Sequence, residues 1–302
     1  MKQLISISVL MRRNEHQYLQ LIKNIIKNGF KEEGRNGNTL SILGANMRFS
    51  LKNNKIPFTT TKKLAWRQCL KELLWFIKGD TNNETLQNQN VKIWNDNASR
   101  KFLDSRGLHY LDEDDLGPVY GHQWRFYNAK YSNCYTDYSN NGVDQLQNVI
   151  DGIKESKKTG ISSRRLILNA WNPEQLDEMA LPPCHVLSQY FVQDNKLSCA
   201  LYQRSGDVGL GIPFNIASYS FLTHILAKHC GLEANEFIHF IGNAHIYEDH
   251  VGALWGQSIR KPYDEPTLEI KERYDNIDDY TMNDFKIHNY KHHGKIKMNM
   301  RA

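Results

Sequence analysis

The chain has 302 residues, 40% of them hydrophobic and 11% aromatic, enough to bury a large core in one or two domains. Its formal net charge of +5 suits phosphorylated or carboxylate-rich small molecules but argues against nucleic acid as the main ligand. No apolar run approaches the ~18 residues of a membrane span, and five scattered cysteines without a CxxC pair argue against disulfides or a zinc site and favour reduced thiols in a cytoplasmic setting.

The N-terminal half begins with a short apolar stretch and continues with two helical patterns. Because LISISVLM is followed by RRNEHQ and not by a small-residue cleavage site, residues 1–14 are interpreted as an arm or edge strand. Apolar residues recur at helical spacing over 18–29 and 64–79, and both patterns close at a glycine, which predicts two helices. Residues 95–115 are polar with mixed charges, so they predict a surface excursion from the core.

The C-terminal half mixes helical and strand-like patterns. Helices are predicted at 143–154 and 221–231, and strands at 164–171, 184–203 and 236–247. The middle strand run reads as two strands around a turn at Asp194 and Asn195. Since no repeat is evident and no linker could separate two domains, the order predicts one α+β domain over residues 1–302.

Glu72 is the first side chain with possible chemistry. At about 100° per residue it projects at the edge of the apolar arc of its predicted helix, roughly 40° from Phe76. It is either a surface glutamate at a helix boundary or a carboxylate beside apolar groups, with a pKa raised for proton transfer.

Cys184 follows a double proline in LPPCH. The two prolines fix two backbone φ angles and remove two donors, so the chain that enters Cys184 is stiff. Taken alone, Cys184 fits a small buried residue at the start of a strand as well as it fits a rigidly held nucleophile.

The segment LYQRSGDVGLGIPFN concentrates polar side chains among three glycines. An arginine beside a serine suits a phosphate, because it combines a forked donor with a hydroxyl. The glycines allow a ligand to approach the backbone closely. A polar hairpin and bend would be the purely structural explanation, but it accounts less well for so many hydrogen-bonding groups in fifteen residues. These groups are Gln203, Arg204, Ser205, Asp207 and Asn215, with Gly206, Gly209 and Gly211.

Six motifs occur in one order that resembles the thymidylate synthase family from about residue 15 to the C-terminus. They are ELLWFIKGDTN, DLGPVYGHQWR, SRRLILNAWNP, LPPCH, LYQRSGDVGLGIPFNIASY and GNAHIYEDH. The excursion at 95–115 resembles the longer, eukaryotic form. The resemblance implies a large, mostly antiparallel or mixed sheet packed by helices, with one sheet face forming a homodimer interface.

The resemblance also implies a reaction. Cys184 would attack carbon-6 of the pyrimidine of dUMP, and carbon-5 would then take a methylene from 5,10-methylenetetrahydrofolate. Loss of the carbon-5 proton and hydride donation by the folate would give dTMP and dihydrofolate. The cosubstrate is thus a reduced folate, and no metal is implied.

Roles are carried over to individual positions by the same resemblance. A catalytic and proton-handling set is implied at Cys184, Glu72, Tyr120, His185, Asn215 and Asp207. Binding of dUMP is implied at Arg35, Gln203, Arg204, Ser205, Asp207, Asn215, His245 and Tyr247, and at Arg164 and Arg165 of the partner subunit. Folate binding is implied at Trp94, Asp207, Gly211 and Ala302, with residues 298–302 as a closing tail.

Elementary chemistry agrees with several of these assignments. A guanidinium such as that of Arg204 would lower the pKa of Cys184 and favour its thiolate. The neutral amide of Asn215 can donate to the carbonyl and accept from the ring N–H of uracil, whereas an aspartate would suit the amino group of cytosine. His245 and Tyr247 alternate along a predicted strand and face the same side, as a ligand-binding pair or a buried polar pair would.

The sequence departs from the family pattern at three places. GRNGNTLS is one residue shorter than the usual loop, so the equivalence of Arg35 is open. Asn243 replaces an aspartate, which removes a charge near the sugar site. Arg301 replaces a small apolar residue, which puts closure of the tail in doubt.

Two other functions remain open from the sequence. A nucleotide hydroxymethylase of the same fold would end the reaction with water in place of hydride. A noncatalytic protein that holds RNA or a partner enzyme is the other alternative, but the joint presence of Cys184, Glu72, Arg204 and Asn215 argues against it.

Overall fold

The computed structural model describes residues 14–34 and 37–300. Residues 1–13 of the predicted arm, Arg35, Arg301 and Ala302 lie outside the described residues. The helices are α1 Asn14–Asn28, α2 Trp66–Ile77, α3 Asn83–Gln87, α4 Asn95–Ala98, α5 Arg100–Ser105, α6 Tyr120–Arg125, α7 Gln145–Thr159, α8 Gly211–Cys230 and α9 Val251–Ser258. The strands are β1 Phe30–Gly34, β2 Gly37–Ser50, β3 Ile167–Asn169, β4 His185–Gln193, β5 Lys196–Asp207, β6 Glu233–Tyr247, β7 Thr267–Ile270 and β8 Phe285–His288.

A mixed sheet of six strands dominates the described part of the chain, in the order β1-β2-β6-β5-β4-β3. Strands β5 and β6 are parallel, and the other neighbours are antiparallel. The predicted turn between β4 and β5 is confirmed: Asp194 and Asn195 have φ of 49° and 58°, the left-handed geometry of a tight hairpin. The predicted α+β class with a large mixed sheet is confirmed.

One face of the sheet carries the core. Helix α8 is buried on all sides and packs across β5 and β6, while α2 and α7 pack against it in turn. The opposite face leaves large apolar side chains exposed, among them Tyr202 and its cross-strand neighbour Phe240, which are 44% and 43% exposed. The sheet therefore has one covered face and one uncovered apolar face.

The structure differs from the predicted elements where contacts with distant parts of the chain determine the secondary structure. The hairpin of β1 and β2 was not predicted, since β2 lacks a clear apolar alternation and is held by pairing along β6. Helix α8 begins at Gly211, ten residues before the expected start at 221. Its first turn contains Pro213, which a helix tolerates there because the first N–H groups have no intrahelical partner.

The polar segment 95–115 forms α4 and α5 and contributes apolar side chains to the core. The buried side chains are those of Ala98, Leu103, Leu108 and Leu111. Across residues 14–34 and 37–300, every helix is too short or too polar to traverse a bilayer.

Candidate active site

Cys184 is held by its backbone immediately before β4. Its N–H donates to the hydroxyl of Tyr120, on α6, at 2.7 Å. Its carbonyl accepts from the backbone N–H of Arg204, on β5, at 2.9 Å. Since neither bond uses the sulfur, the half-buried thiol is positioned by the fold and left available for chemistry.

The double proline is tied to Arg204. The guanidinium donates from Nε to the carbonyl of Pro183 at 2.9 Å and from Nη2 to that of Pro182 at 3.0 Å. It also lies over the ring of Trp171, 5.7 Å from the centroid. Because the two prolines have no backbone N–H, only their carbonyl groups are available for hydrogen bonding at this point, and both accept from the guanidinium. The stiff entry to Cys184 therefore also orients the charge beside it.

The pKa of Cys184 lies above its usual range, because burial outweighs the favourable charge of Arg204. The predicted lowering by Arg204 is present, but it is smaller than the effect of burial. Burial of the thiol depends on tertiary neighbours that LPPCH does not reveal.

Glu72 and Trp94 meet at one wall of the site. The indole Nε1 of Trp94, at the start of α4, donates to Oε1 of Glu72 at 2.8 Å. Burial raises the pKa of Glu72 to about 7, and the bond from Trp94 opposes this only in part. Of the two interpretations left open by the sequence, the carboxyl beside apolar groups fits the structure, and a pKa in this range would suit proton transfer near neutral pH.

This raised pKa predicts a pH-dependent cost to stability. The folded state binds more protons than the unfolded state between 4.5 and about 7, so the free energy of unfolding falls as pH rises through that window. Glu72→Gln removes this titration. We therefore expect its free energy of unfolding, relative to that of the wild type, to rise by about 1–3 kcal/mol between about pH 5 and pH 8. Urea unfolding at both pH values measures this.

The matched control for that experiment is Glu155→Gln on the exposed face of α7. Its difference from the wild type should be the same at both pH values. If the difference between Glu72→Gln and the wild type is also the same at both pH values, Glu72 is not a buried, protonated carboxyl.

Aromatic side chains connect Glu72 with Cys184. The ring of Tyr120 lies 6.1 Å from that of Trp94 and 5.2 Å from the imidazole of His185, centroid to centroid. Burial raises the pKa of Tyr120 and lowers that of His185 to about 4, so both are neutral at pH 7. At pH 7, Tyr120 and His185 therefore add no charge around the thiol, whereas Arg204 does.

A chain of amides lies on the other side of His185. Asn215, in the first turns of α8, accepts through Oδ1 from Nε2 of Gln203 at 2.9 Å. The same Nε2 donates to the backbone carbonyl of Ser205 at 2.8 Å. A hydrogen bond to Asn215 also opposes the lowered pKa of His185. The Oδ1 of Asn215 is thus an acceptor toward Gln203, which leaves the Nδ2 donors for other partners.

The ends of β5 and β6 bring further predicted residues together. Asp207 pairs in register with His245, and its carboxylate accepts from the backbone N–H of Gly209 at 2.7 Å. The ring of Tyr247 lies 5.5 Å from that of His245. The Oδ1 of Asn243 and the Nδ1 of His245 form a hydrogen bond of 3.1 Å. The departure from the family pattern at Asn243 thus places a neutral amide against the imidazole of His245.

Ser205, Gly211 and the tail lie close to these groups. A Cβ on Gly211 would be 3.7 Å from Oδ1 of Asn215, so the start of α8 borders the amide. In the tail, the carbonyl of Asn299 lies 3.0 Å from Nε2 of His250, and the Met298 sulfur would lie 3.2 Å from a Cβ on Gly209. The last described residues therefore rest on the loop between Asp207 and Gly211.

Arg164 and Arg165 lie apart from this group. Both are exposed and precede β3, the outermost strand, whereas Arg204 is on β5. Within the part of the chain that the structure describes, no hydrogen bond or ion pair joins either arginine to Arg204 or Ser205. In the register of the sheet, Ile167 on β3 lies opposite Gln189 on β4, which lies opposite Ala200 on β5, so the two arginines are two strands and several residues away from Arg204.

The sequence interpretation missed three residues of the site. Lys62 is buried, donates to the carbonyl of Gly209, and has a pKa lowered to about 8 by burial. Trp171 lies under Arg204. His239 bonds to Gln203. Only His239 had a readable signal, because strand alternation places it on the same side as the apolar Phe237.

The chain is similar to known proteins over nearly its whole length. A family model described as thymidylate synthase matches residues 16–302. The chain is 50% identical over 289 residues to a bifunctional dihydrofolate reductase-thymidylate synthase of Plasmodium chabaudi, covering 95% of this chain and 49% of that protein. It is 52% identical over 287 residues to the protein of that name from Paramecium tetraurelia, covering 95% and 61% respectively.

A relative that is named as thymidylate synthase alone has a similar sequence identity. The thymidylate synthase of Homo sapiens is 50% identical over 287 residues, covering 95% of this chain and 90% of that protein. By contrast, the chain spans about half the length of the Plasmodium bifunctional relatives it matches.

Proposed function

Since the chain belongs to the thymidylate synthase family, we propose that it converts dUMP and 5,10-methylenetetrahydrofolate into dTMP and dihydrofolate. The observation that carries the proposal is the setting of Cys184. Its backbone is fixed between Tyr120 and Arg204, and a carboxyl with a pKa near 7 and an oriented amide form two sides of the site.

Each of these groups suits one step. Attack of the Cys184 sulfur on carbon-6 of dUMP forms a C–S bond and moves the electron pair of the 5,6 double bond toward carbon-5 and the carbonyl oxygen. Donation from Nδ2 of Asn215 stabilises the negative charge on that oxygen. Glu72 is suited to exchange protons through an ordered water, because its pKa lies near the working pH. Expulsion of the sulfur later restores the double bond.

The nucleotide would be held at its two ends. Arg204 and Ser205 suit the phosphate, and His245 and Tyr247 suit the deoxyribose hydroxyl, since all four lie toward the ends of β5 and β6. Arg35 is a further candidate phosphate ligand. The bonds from Arg204 to Pro182 and Pro183 leave guanidinium N–H groups for a phosphate oxygen.

The folate would be held beside the amide and the tail. It supplies the one-carbon unit and the hydride when bound. A cavity of about 610 Å³ opens at the start of α8, with an apolar wall that includes Trp66 and Phe214. Such a wall suits fused and benzoyl rings, and basic side chains at its rim suit carboxylates. Those basic residues are Lys63, Arg67 and Lys295. Trp94, Asp207 and Gly211 are the proposed contacts nearer the reacting carbon, and Ala302 stays a contact predicted from the sequence alone.

The uncovered sheet face supports a homodimer. Tyr202 and Phe240 are neighbours on its central strands, and Ile167, which is in register with Ala200 and Ile238 on the same face, is also exposed. An apolar face of this extent is costly in water, and a two-fold pairing would bury the same patch on both subunits. We propose that Arg164 and Arg165 then complete the phosphate site of the partner. All five cysteines are free, which supports a reducing, cytoplasmic location.

The proposal is tested by separating the nucleotide products. The protein incubated with dUMP and methylenetetrahydrofolate should produce dTMP. A 5-hydroxymethyl nucleotide would point to the hydroxymethylase alternative, and recovery of unchanged dUMP would contradict both enzymatic functions.

Base recognition by Asn215 predicts an altered substrate preference. We expect Asn215→Asp to weaken discrimination against dCMP, because a carboxylate accepts from the amino group of cytosine. Sites built to bond a particular group discriminate by roughly 10⁴ or more, so the change should be large. Carbon-5 tritium release from labelled dUMP and dCMP gives the ratio of rates. An unchanged ratio would remove Asn215 from base recognition.

A further inference from the structure

His239 is hydrogen-bonded to Gln203, one of the residues proposed to bind dUMP. It is fully buried on β6, and its Nε2 lies 2.8 Å from Oε1 of Gln203. Burial lowers its pKa to about 3, so the imidazole is neutral at pH 7. Within the described residues its Nδ1 is buried without a hydrogen-bond partner. Its one polar contact of this kind is therefore the one to Gln203.

The direction of each bond in this chain follows from chemistry. The backbone carbonyl of Ser205 can only accept, so the Gln203 atom that faces it must be the amide nitrogen. The oxygen of Gln203 then faces His239, which must donate from Nε2. The same amide nitrogen donates to Oδ1 of Asn215. Three side chains thus share one consistent set of donors and acceptors.

The orientation of Asn215 decides which base it accepts. With Oδ1 turned to Gln203, its Nδ2 donors suit the carbonyl at carbon-4 of uracil. The amino group of cytosine is itself a donor and would meet a donor there. Rotation of the amide by half a turn would reverse this preference.

We propose that His239 is a specificity-determining positioning residue, which through Gln203 holds the Asn215 amide in the orientation that selects uracil over cytosine. The inference rests on the proposed function. Without the imidazole donor, the buried oxygen of Gln203 loses its partner, and its side chain no longer holds Asn215 firmly. Neighbouring packing supports this tight arrangement, since a Cβ on Gly206 would lie 3.0 Å from Nε2 of Gln203.

The test compares the binding of dUMP and dCMP by calorimetry, which does not depend on turnover. In His239→Phe the ratio of the two dissociation constants should fall about tenfold, the worth of one neutral hydrogen bond. His239→Gln, whose amide can donate from nearly the same position, should restore most of the ratio. The matched control is His224→Phe, which removes another buried imidazole, bonded at 2.9 Å to the carbonyl of Lys55, and should leave the ratio unchanged.

The outcomes separate this inference from the proposed function. A wild-type protein without preference for dUMP would overturn the proposed function and the inference with it. A wild-type preference that survives in His239→Phe would overturn the inference alone, as would an equal loss in His224→Phe. If the phenylalanine variant does not fold, His239→Asn takes its place, because its shorter side chain cannot reach Gln203 and should lose the ratio to the same extent.

Discussion

Cys184→Ala is expected to abolish dTMP formation, with a loss on the order of 10⁴-fold or more, because the variant has no nucleophile for carbon-6. The fold should persist, since Cys184 is held through its backbone N–H and carbonyl and not through its sulfur. Affinity for dUMP should be largely retained, as Arg204 and Asn215 are unchanged. Turnover and calorimetry on the same preparation measure both quantities.

Cys199→Ala is the matched control. This cysteine is completely buried in β5, and burial raises its pKa to about 12, so it is a core residue without thiolate character. The variant should be slightly less stable and still active. Full activity in Cys184→Ala, or equal loss in both variants, would contradict the assignment of the nucleophile.

Mixing two inactive variants is expected to restore activity. Arg164→Ala/Arg165→Ala should be nearly inactive if the pair binds the partner's phosphate, because each charge-assisted bond is worth about 1.5–3 kcal/mol and two lost bonds cost about 10²–10⁴-fold in affinity. Cys184→Ala is inactive for the different reason given above. In a heterodimer of the two, one site has both defects, and the other has an intact Cys184 and an intact arginine pair from its neighbour.

The recovered activity has a calculable size. Random pairing after joint unfolding and refolding makes half of the dimers heterodimers with one working site of two, so activity should approach about one quarter of the wild type. Each variant refolded alone is the control and should stay inactive. If both variants fold and exchange subunits while the mixture remains inactive, the arginines do not act across an interface.

The sequence predicted the elements that carry strong local patterns. Helix α1 ends before Gly29 and α7 and the later part of α8 follow their apolar spacing, while the turn at Asp194 and Asn195 has the expected left-handed geometry. Strand β2 was missed because pairing with β6, and not its own composition, makes it a strand. The three-residue β3 is shorter than the run at 164–171, because only part of that run pairs with β4.

The electrostatics of the site could be read from the sequence only in part. The edge position of Glu72 on its helix already allowed a raised pKa, which the structure explains by burial beside Trp94. The same physics was overlooked for Cys184, where burial outweighs Arg204. Helical and strand patterns reveal which side of an element faces inward, but the depth of burial is set by residues distant in sequence.

Reductive methylation of dUMP by a site built around Cys184 is best tested by following dihydrofolate by absorbance while dTMP is measured in the same sample. We expect one dihydrofolate for each dTMP with the wild-type protein and neither product with Cys184→Ala. Nucleotide product without dihydrofolate, or equal product formation by Cys184→Ala, would contradict it.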